Sequence, residues 1–246
     1  MPTTLFKLLT ISSLLSILLS GCIVIDLNGC GLEKVQGSGK VVSETRQIPD
    51  FDQIKLEGQG KVFITRGEFP SLVVKTDDNI MPDIKTIVKN RKLIISHENK
   101  NLRPTALNFL ITLGDLKGTS IAGSGEISGK SRFVSENFYA EVSGSGSISL
   151  ELETARLDSE ISGSGSMYLS GLTDHHRAKI TGSGKINAFE MQAKTAFVSI
   201  TGSGNCLLAA SDQLKAKITG SGDALYKGHP QINKTIAGSG EVKNQN

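Results

Sequence analysis

The residues with the most definite chemistry are Leu19-Ser20-Gly21-Cys22. A leucine and two small residues before a cysteine form a lipobox. There the thiol receives diacylglycerol, the leader is cut in front of the cysteine, and the new amino terminus is acylated. The leader fits: Lys7 supplies a positive start, and Leu8 to Leu19 is an apolar run too short for a comfortable membrane span. Cys22 is therefore the expected lipidation site, and more than one acyl chain makes the anchoring stable. Ile23, rather than an aspartate, follows Cys22 and points to the outer membrane. Leu27-Asn28-Gly29-Cys30 imitates a second lipobox farther from the apolar run.

Other chemistry-bearing residues are scattered. His175 and His176 are adjacent, and neighbours on an extended chain point to opposite faces, which makes a shared metal site awkward; both are expected to be solvated in a turn. His97 and His229 stand alone, and no histidines have the helical spacing of a metalloprotease. Glu141 and Glu160 occupy equivalent places in successive repeats, so stacked strands would bring them about 5 Å apart, the separation of a retaining glycosidase pair. Two solvated acids balanced by Lys179 and Lys217 is the plainer reading. Cys206 falls in an inward, apolar position and is expected to be a buried free thiol, with no disulfide to Cys30. No catalytic residue, metal site or cofactor emerges. From Cys22 on, 26 basic residues face 24 acidic ones with no long run of either sign, so nucleic acid is not an expected partner. Tryptophan is absent and aromatics make up 5% of the chain, which weakens a sugar-stacking groove.

The element that must position all of these is a repeat. Paired glycines recur at Gly37 and Gly39, Gly58 and Gly60, Gly123 and Gly125, Gly144 and Gly146, Gly163 and Gly165, Gly182 and Gly184, Gly202 and Gly204, Gly220 and Gly222, and Gly238 and Gly240. Serine stands between each pair except at Gln59. From Gly123 onward the copies are 21, 19, 19, 20, 18 and 18 residues apart. An apolar residue precedes each copy by two positions, as at Val142, Ile161, Ile180, Ile200, Ile218 and Ile236. Another follows by two, as at Ile148, Met167, Ile186 and Cys206. Period-2 alternation places both apolar columns and both glycines inward and the serine outward. A coil of about 19 residues has room for short strands and tight turns but not for a helical repeat, so the chain reads as all-β, a single-stranded parallel β-helix. Glycine at the inward positions implies either a sharp corner or a wall too close for a Cβ. The phosphate-loop and dinucleotide readings fail, because no copy continues into Gly-Lys-Ser/Thr or a third glycine.

Gly37-Ser38-Gly39 with its extension to Arg46, Phe51-Asp52-Gln53-Ile54, Gly58 to Thr65, Asp77-Asp78-Asn79-Ile80, Lys92 to Ile95 and the Gly-Ser-Gly series together resemble the head GIN domain family of auto-transporter adhesins, over about residues 35–243. The resemblance implies a right-handed parallel β-helix without the catalytic residues of pectin lyases, and a role in adhesion. It supplies no site residues.

The expected organisation is a signal peptide over 1–21, a lipidated tether over 22–34, and a β-helix of about ten coils over 35–243. Residues 35–65 read as its first two coils and 66–118 as an irregular section, with strands at Leu72-Val73-Val74, Leu93-Ile94-Ile95 and Phe109 to Leu113. Ile80, Ile84, Ile87 and Val88 suggest a short helix starting near Pro82, and Tyr226 to Gln231 a loop. The functional expectation is a lipid-anchored envelope module for adhesion or interaction, non-enzymatic, contacting the membrane through its anchor and an unidentified surface glycan or protein. The alternatives are a polysaccharide-active lyase or glycosidase, or a periplasmic scaffold.

Overall fold

The computed structural model describes residues 34–98 and 101–246; Cys22, Cys30, the leader and most of the tether lie outside them. Strands in chain order are β1 (Val35–Gln36), β2 (Val41–Arg46), β3 (Gln53–Gly58), β4 (Lys61–Arg66), β5 (Ser71–Asp77), β6 (Ile84–Lys89), β7 (Lys92–His97), β8 (Leu102–Arg103), β9 (Leu107–Leu113), β10 (Gly118–Gly123), β11 (Glu126–Gly144), β12 (Ser147–Gly163), β13 (Ser166–Gly182), β14 (Lys185–Gly202), β15 (Asn205–Gly220), β16 (Ala224–Lys227), β17 (Gln231–Gly238) and β18 (Val242–Asn244).

From β10 onward neighbouring strands pair in parallel, each with the strand one coil later. Each long strand is nearly a full coil, running from one Gly-Ser-Gly corner to the next. The result is a β-solenoid of about seven turns rather than ten. Side chains alternate as the sequence requires. In β12, Ile148, Leu150 and Leu152 are buried while Ser149, Glu151 and Glu153 are exposed. The alternation breaks at Ala155-Arg156, where two successive residues face outward and the coil turns. Thr154 fills the inside of this second corner, its hydroxyl 3.1 Å from the carbonyl oxygens of both Glu136 and Arg156.

The Gly-Ser-Gly corners stack in register, Gly144 on Gly123, Gly163 on Gly144, Gly182 on Gly163. The two glycines of a copy answer different demands. Gly182 has φ +112°, and a Cβ there would lie 2.6 Å from the Gly163 carbonyl oxygen. Gly184 has no positive φ, but a Cβ would strike Ile161 of the coil below. The close approach is thus between successive coils, not across the core.

The N-terminal section departs from simple coiling. β3 extends one wall beneath β10, and β7 adds to β3 in parallel. On the other wall β4 lies beneath β11, and β9 adds to β4 in parallel. After this layer the direction reverses: β6 pairs antiparallel with β7, β5 with β9, and β2 with β5. Residues 35–65 therefore do not make two stacked coils. The strands expected at 72–74, 93–95 and 109–113 lie in β5, β7 and β9. The helix expected after Pro82 is a 3-10 turn at Met81–Asp83 followed by β6. Asn90 and Arg91, with φ +52° and +58°, form a two-residue hairpin loop that pairs Thr86-Ile87-Val88 with β7, and this pairing overrides the helical spacing. One antiparallel hairpin, β6–β7, and the antiparallel pairs of β5 with β9 and β2 thus cap the solenoid and cover its parallel edge.

Two buried carboxylates hold the cap. Asp52 meets Arg91 at 3.1 Å and Lys117 at 3.0 Å. Burial alone would raise its carboxyl, but the two cations more than offset that and keep it below the usual carboxylate range. Asp77 accepts the N–H groups of Gly39 at 2.9 Å and Thr105 at 2.7 Å. Beside it Asn79 Oδ1 accepts the Ser38 N–H at 2.9 Å, and Asp78 Oδ1 accepts the Ser38 hydroxyl at 2.6 Å. The first Gly-Ser-Gly copy is therefore clamped by Asp77-Asp78-Asn79 instead of stacking on another corner. Asp77→Ala removes the buried acceptor of the Gly39 and Thr105 N–H groups and is expected to lower stability by about 2 kcal/mol, read as a urea midpoint shift.

The opposite end is open. Every residue of β17 is exposed, including Ile232 and Ile236, and among the described residues β17 pairs with β15 alone; Ile236 is not in the core as its column position suggested. Lys234 takes the inward place held by Ala216 one coil earlier, and a charge there opposes pairing of this edge with another chain. The loop before the last coil is only residues 228–230, since Tyr226 belongs to β16.

Candidate functional site: an axial groove along the second corner

The recurrent second corner generates a groove of about 880 Å³ along the solenoid. Its floor is the register column Ser135, Thr154, Thr173, Ala193, Ala210 and Gly228. One wall is the neighbouring column Val134, Glu153, Leu172, Gln192, Ala209 and Lys227. The other wall carries Ala155, Asp174, Lys194, Ser211 and His229. The five steps between six coils, at about 4.8 Å each, make the groove about 24 Å long. A small residue nine positions before the first glycine recurs at Ser135, Thr154, Thr173 and Ala193, so the floor was legible in the repeat. The concavity was not, because it depends on how the coil bends there.

Charges on the walls are largely matched. Arg132 reaches Glu151 at 2.9 Å and Glu153 at 3.4 Å, and Lys194 meets Asp174 at 2.7 Å. The Lys194 ammonium holds the Asp174 carboxyl below its ordinary range. Lys227 sits 4.7 Å from the centre of the Phe189 ring.

The other candidate residues are not in this groove, except His229. Glu141 and Glu160 are register partners on another face, but Lys179 bonds Glu160 at 2.6 Å. Beside them, burial and the carboxylates of Glu141 and Glu160 push the Tyr139 phenol up to about 12. His175 is exposed, with Nδ1 2.7 Å from the Thr195 hydroxyl. His176, expected in solvent, is instead 2% exposed, and its Nε2 lies 2.9 Å from the equally buried Ser159 hydroxyl. It occupies the column of Leu157 and Ala196, because the corner falls at Asp174-His175 and alternation then turns His176 inward. Burial lowers its pKa to about 4. A serine–histidine pair sealed in the core reaches no substrate. Cys206 is a buried free thiol, pushed up to about 12 by burial. His97 fills the space beneath Gly58, the corner without a glycine below it. Among the described residues, no three His, Cys, Asp or Glu side chains are grouped to hold a metal ion, and no helix is long and apolar enough to cross a membrane.

A family profile described as "Putative auto-transporter adhesin, head GIN domain" matches residues 50–230. The chain belongs to this family. Proteins of known structure share the architecture. A "putative adhesin" from Bacteroides fragilis superposes with a TM-score of 0.82 at 26% identity, covering 86% of this chain and all of that one. A "putative lipid binding protein" from Parabacteroides distasonis gives 0.74 at 27% identity, covering 87% of this chain and all of the other. A second Parabacteroides distasonis protein, also a "putative adhesin", gives 0.71 at 25% identity with the same coverages. No curated protein matches the chain. Family and neighbours support an adhesion-type module.

Proposed function

We propose that this head GIN domain protein is exported, anchored in the outer membrane through acyl chains on Cys22, and contacts a surface ligand through the axial groove without catalysis. The groove carries the reading: a continuous depression across six coils is a binding surface of the kind extended repeat proteins use. The leader and lipobox support the anchor. Absence of catalysis is supported by the burial of Ser159 and His176 and by the pairing of Glu160 with Lys179. The Parabacteroides relative described as lipid binding, together with the exposed Val134 and Leu172 on the groove wall, supports a ligand with an apolar part.

Protease treatment of intact and lysed cells tests the placement. Loss of the protein from intact cells is the expected outcome, and cleavage only after lysis would favour the periplasmic scaffold. Cys22→Ala is expected to leave the membrane fraction; if it stays, the anchor is not at Cys22. Leu172→Asp, changing a side chain 47% exposed in the groove wall, is expected to abolish attachment of expressing cells to immobilised host or bacterial surfaces.

A further inference from the structure

We propose that the groove accepts one long acyl chain laid along the solenoid axis, with its anionic head against Lys227 and His229. This rests on the groove being the contact site and names the chemistry that fits it.

The floor offers a ligand almost nothing to hydrogen-bond. The Thr154 hydroxyl already lies against the carbonyls of Glu136 and Arg156, and the Thr173 hydroxyl against that of His175 at 3.2 Å. Ala193, Ala210 and Gly228 continue the floor without a polar side chain. The backbone of the floor itself pairs in the parallel ladder, Ser135 with Thr154, Thr154 with Thr173, Thr173 with Ala193 and Ala193 with Ala210, and the ladder is interrupted only at the corner residues of the wall. A sugar or an extended peptide would find partners only on the walls, at Gln192, Ser211 and the charged side chains, and its polar groups against the floor would lose water without replacement. No Phe, Tyr or Trp lines the groove, so a sugar has no ring to stack on. An alkyl chain has no such needs. It gains from covering Val134 and Leu172, large apolar side chains left 49% and 47% exposed along the wall. The volume is that of a ligand pocket, and its length of about 24 Å is suited to a chain rather than a compact ring.

Charge sets the direction. Glu153 and Asp174 are answered by Arg132 and Lys194. Lys227 rests on the Phe189 ring and, among the described residues, has no carboxylate partner. It ends the wall column, with His229 across Gly228 at the same end. An ammonium and an imidazole where an apolar trough stops are complementary to a carboxylate or phosphate head.

The test is titration of the full-length Cys22→Ala chain, which lacks its own lipid, with palmitate and with hexadecanol. Palmitate is expected to bind. Leu172→Asp should weaken binding of both ligands tenfold or more, whereas Lys227→Glu should weaken palmitate selectively. Both side chains are at the surface, and circular dichroism checks that the sheet is intact; Val134→Asp replaces any variant that loses it. Failure of palmitate to bind, or equal binding by Leu172→Asp, overturns the acyl assignment. If palmitate fails while Leu172→Asp still abolishes cell attachment, the groove remains the contact site and its ligand is not an acyl chain. If attachment survives Leu172→Asp, the contact-site reading itself falls.

Discussion

Gly182→Ala is expected to remove about 3–4 kcal/mol of stability, a large share of the roughly 5–15 kcal/mol that keeps an ordinary domain folded. Two effects add at this position. Its φ of +112° is a conformation that L side chains rarely adopt, worth about 1–3 kcal/mol of strain. The new Cβ would also sit 2.6 Å from the Gly163 carbonyl oxygen, which is fixed in the coil below and cannot move without disturbing the whole corner stack. Gly39→Ala is the matched control. Gly39 also has a positive φ, +83°, but nothing stands within 4 Å of a Cβ there. It should lose only the backbone strain, about 1–2 kcal/mol. Urea unfolding of both variants beside the parent decides this. Equal losses would mean that the corner stack is looser than its geometry requires, and that glycine is kept there for conformation alone.

The second large effect is with pH. His176 is buried among core columns and titrates near 4, against about 6.5 in an unfolded chain. Its folded-state value is the lower one, so the unfolded state binds the proton first. Stability is therefore complete above about pH 6.5, falls as the pH drops, and levels off below about 4, for a total of roughly 3 kcal/mol. Asp52 and Asp77, held below their ordinary values, begin to lose their contribution only as the pH falls into the unfolded carboxylate range at about 4, and the loss is completed below it. The interval between pH 6.5 and 4.5 thus isolates the histidine. Replacing both polar partners, in Ser159→Ala with His176→Leu, removes the proton-binding site without orphaning a hydroxyl. That double variant should hold its urea midpoint across the interval while the parent's midpoint falls. A parallel fall in both would place the acid sensitivity elsewhere.

Much of the architecture was legible because a stacked repeat translates directly into geometry. Equal spacing of the glycine pairs fixed the coil length, and period-2 alternation separated Ile161 and Ile180 in the core from Ser162 and Thr181 outside. The same logic misread the ends. Ile236 matches its column but, among the described residues, its strand has a neighbour on one side only and the side chain stays exposed. Gly37-Ser38-Gly39 matches the motif but meets the carboxylate of Asp77 rather than another glycine. Neither position differs locally from its counterparts; only the presence or absence of a neighbour separates them.

The sequence by itself determined the repeat, the inward and outward faces and the family, because each is written in residues adjacent or evenly spaced along the chain. Tertiary structure alone decided that 66–118 reverses into antiparallel caps, since that depends on strands finding partners far away, as β5 finds β9 and β2. It also decided that His176 is buried. The location of the second corner sets which of two adjacent histidines turns inward, and a shift of one residue exchanges them. The groove belongs to the same class. Its small residues recur in the sequence, but only the bend of each coil, repeated six times in register, turns a column of serine, threonine, alanine and glycine into a channel.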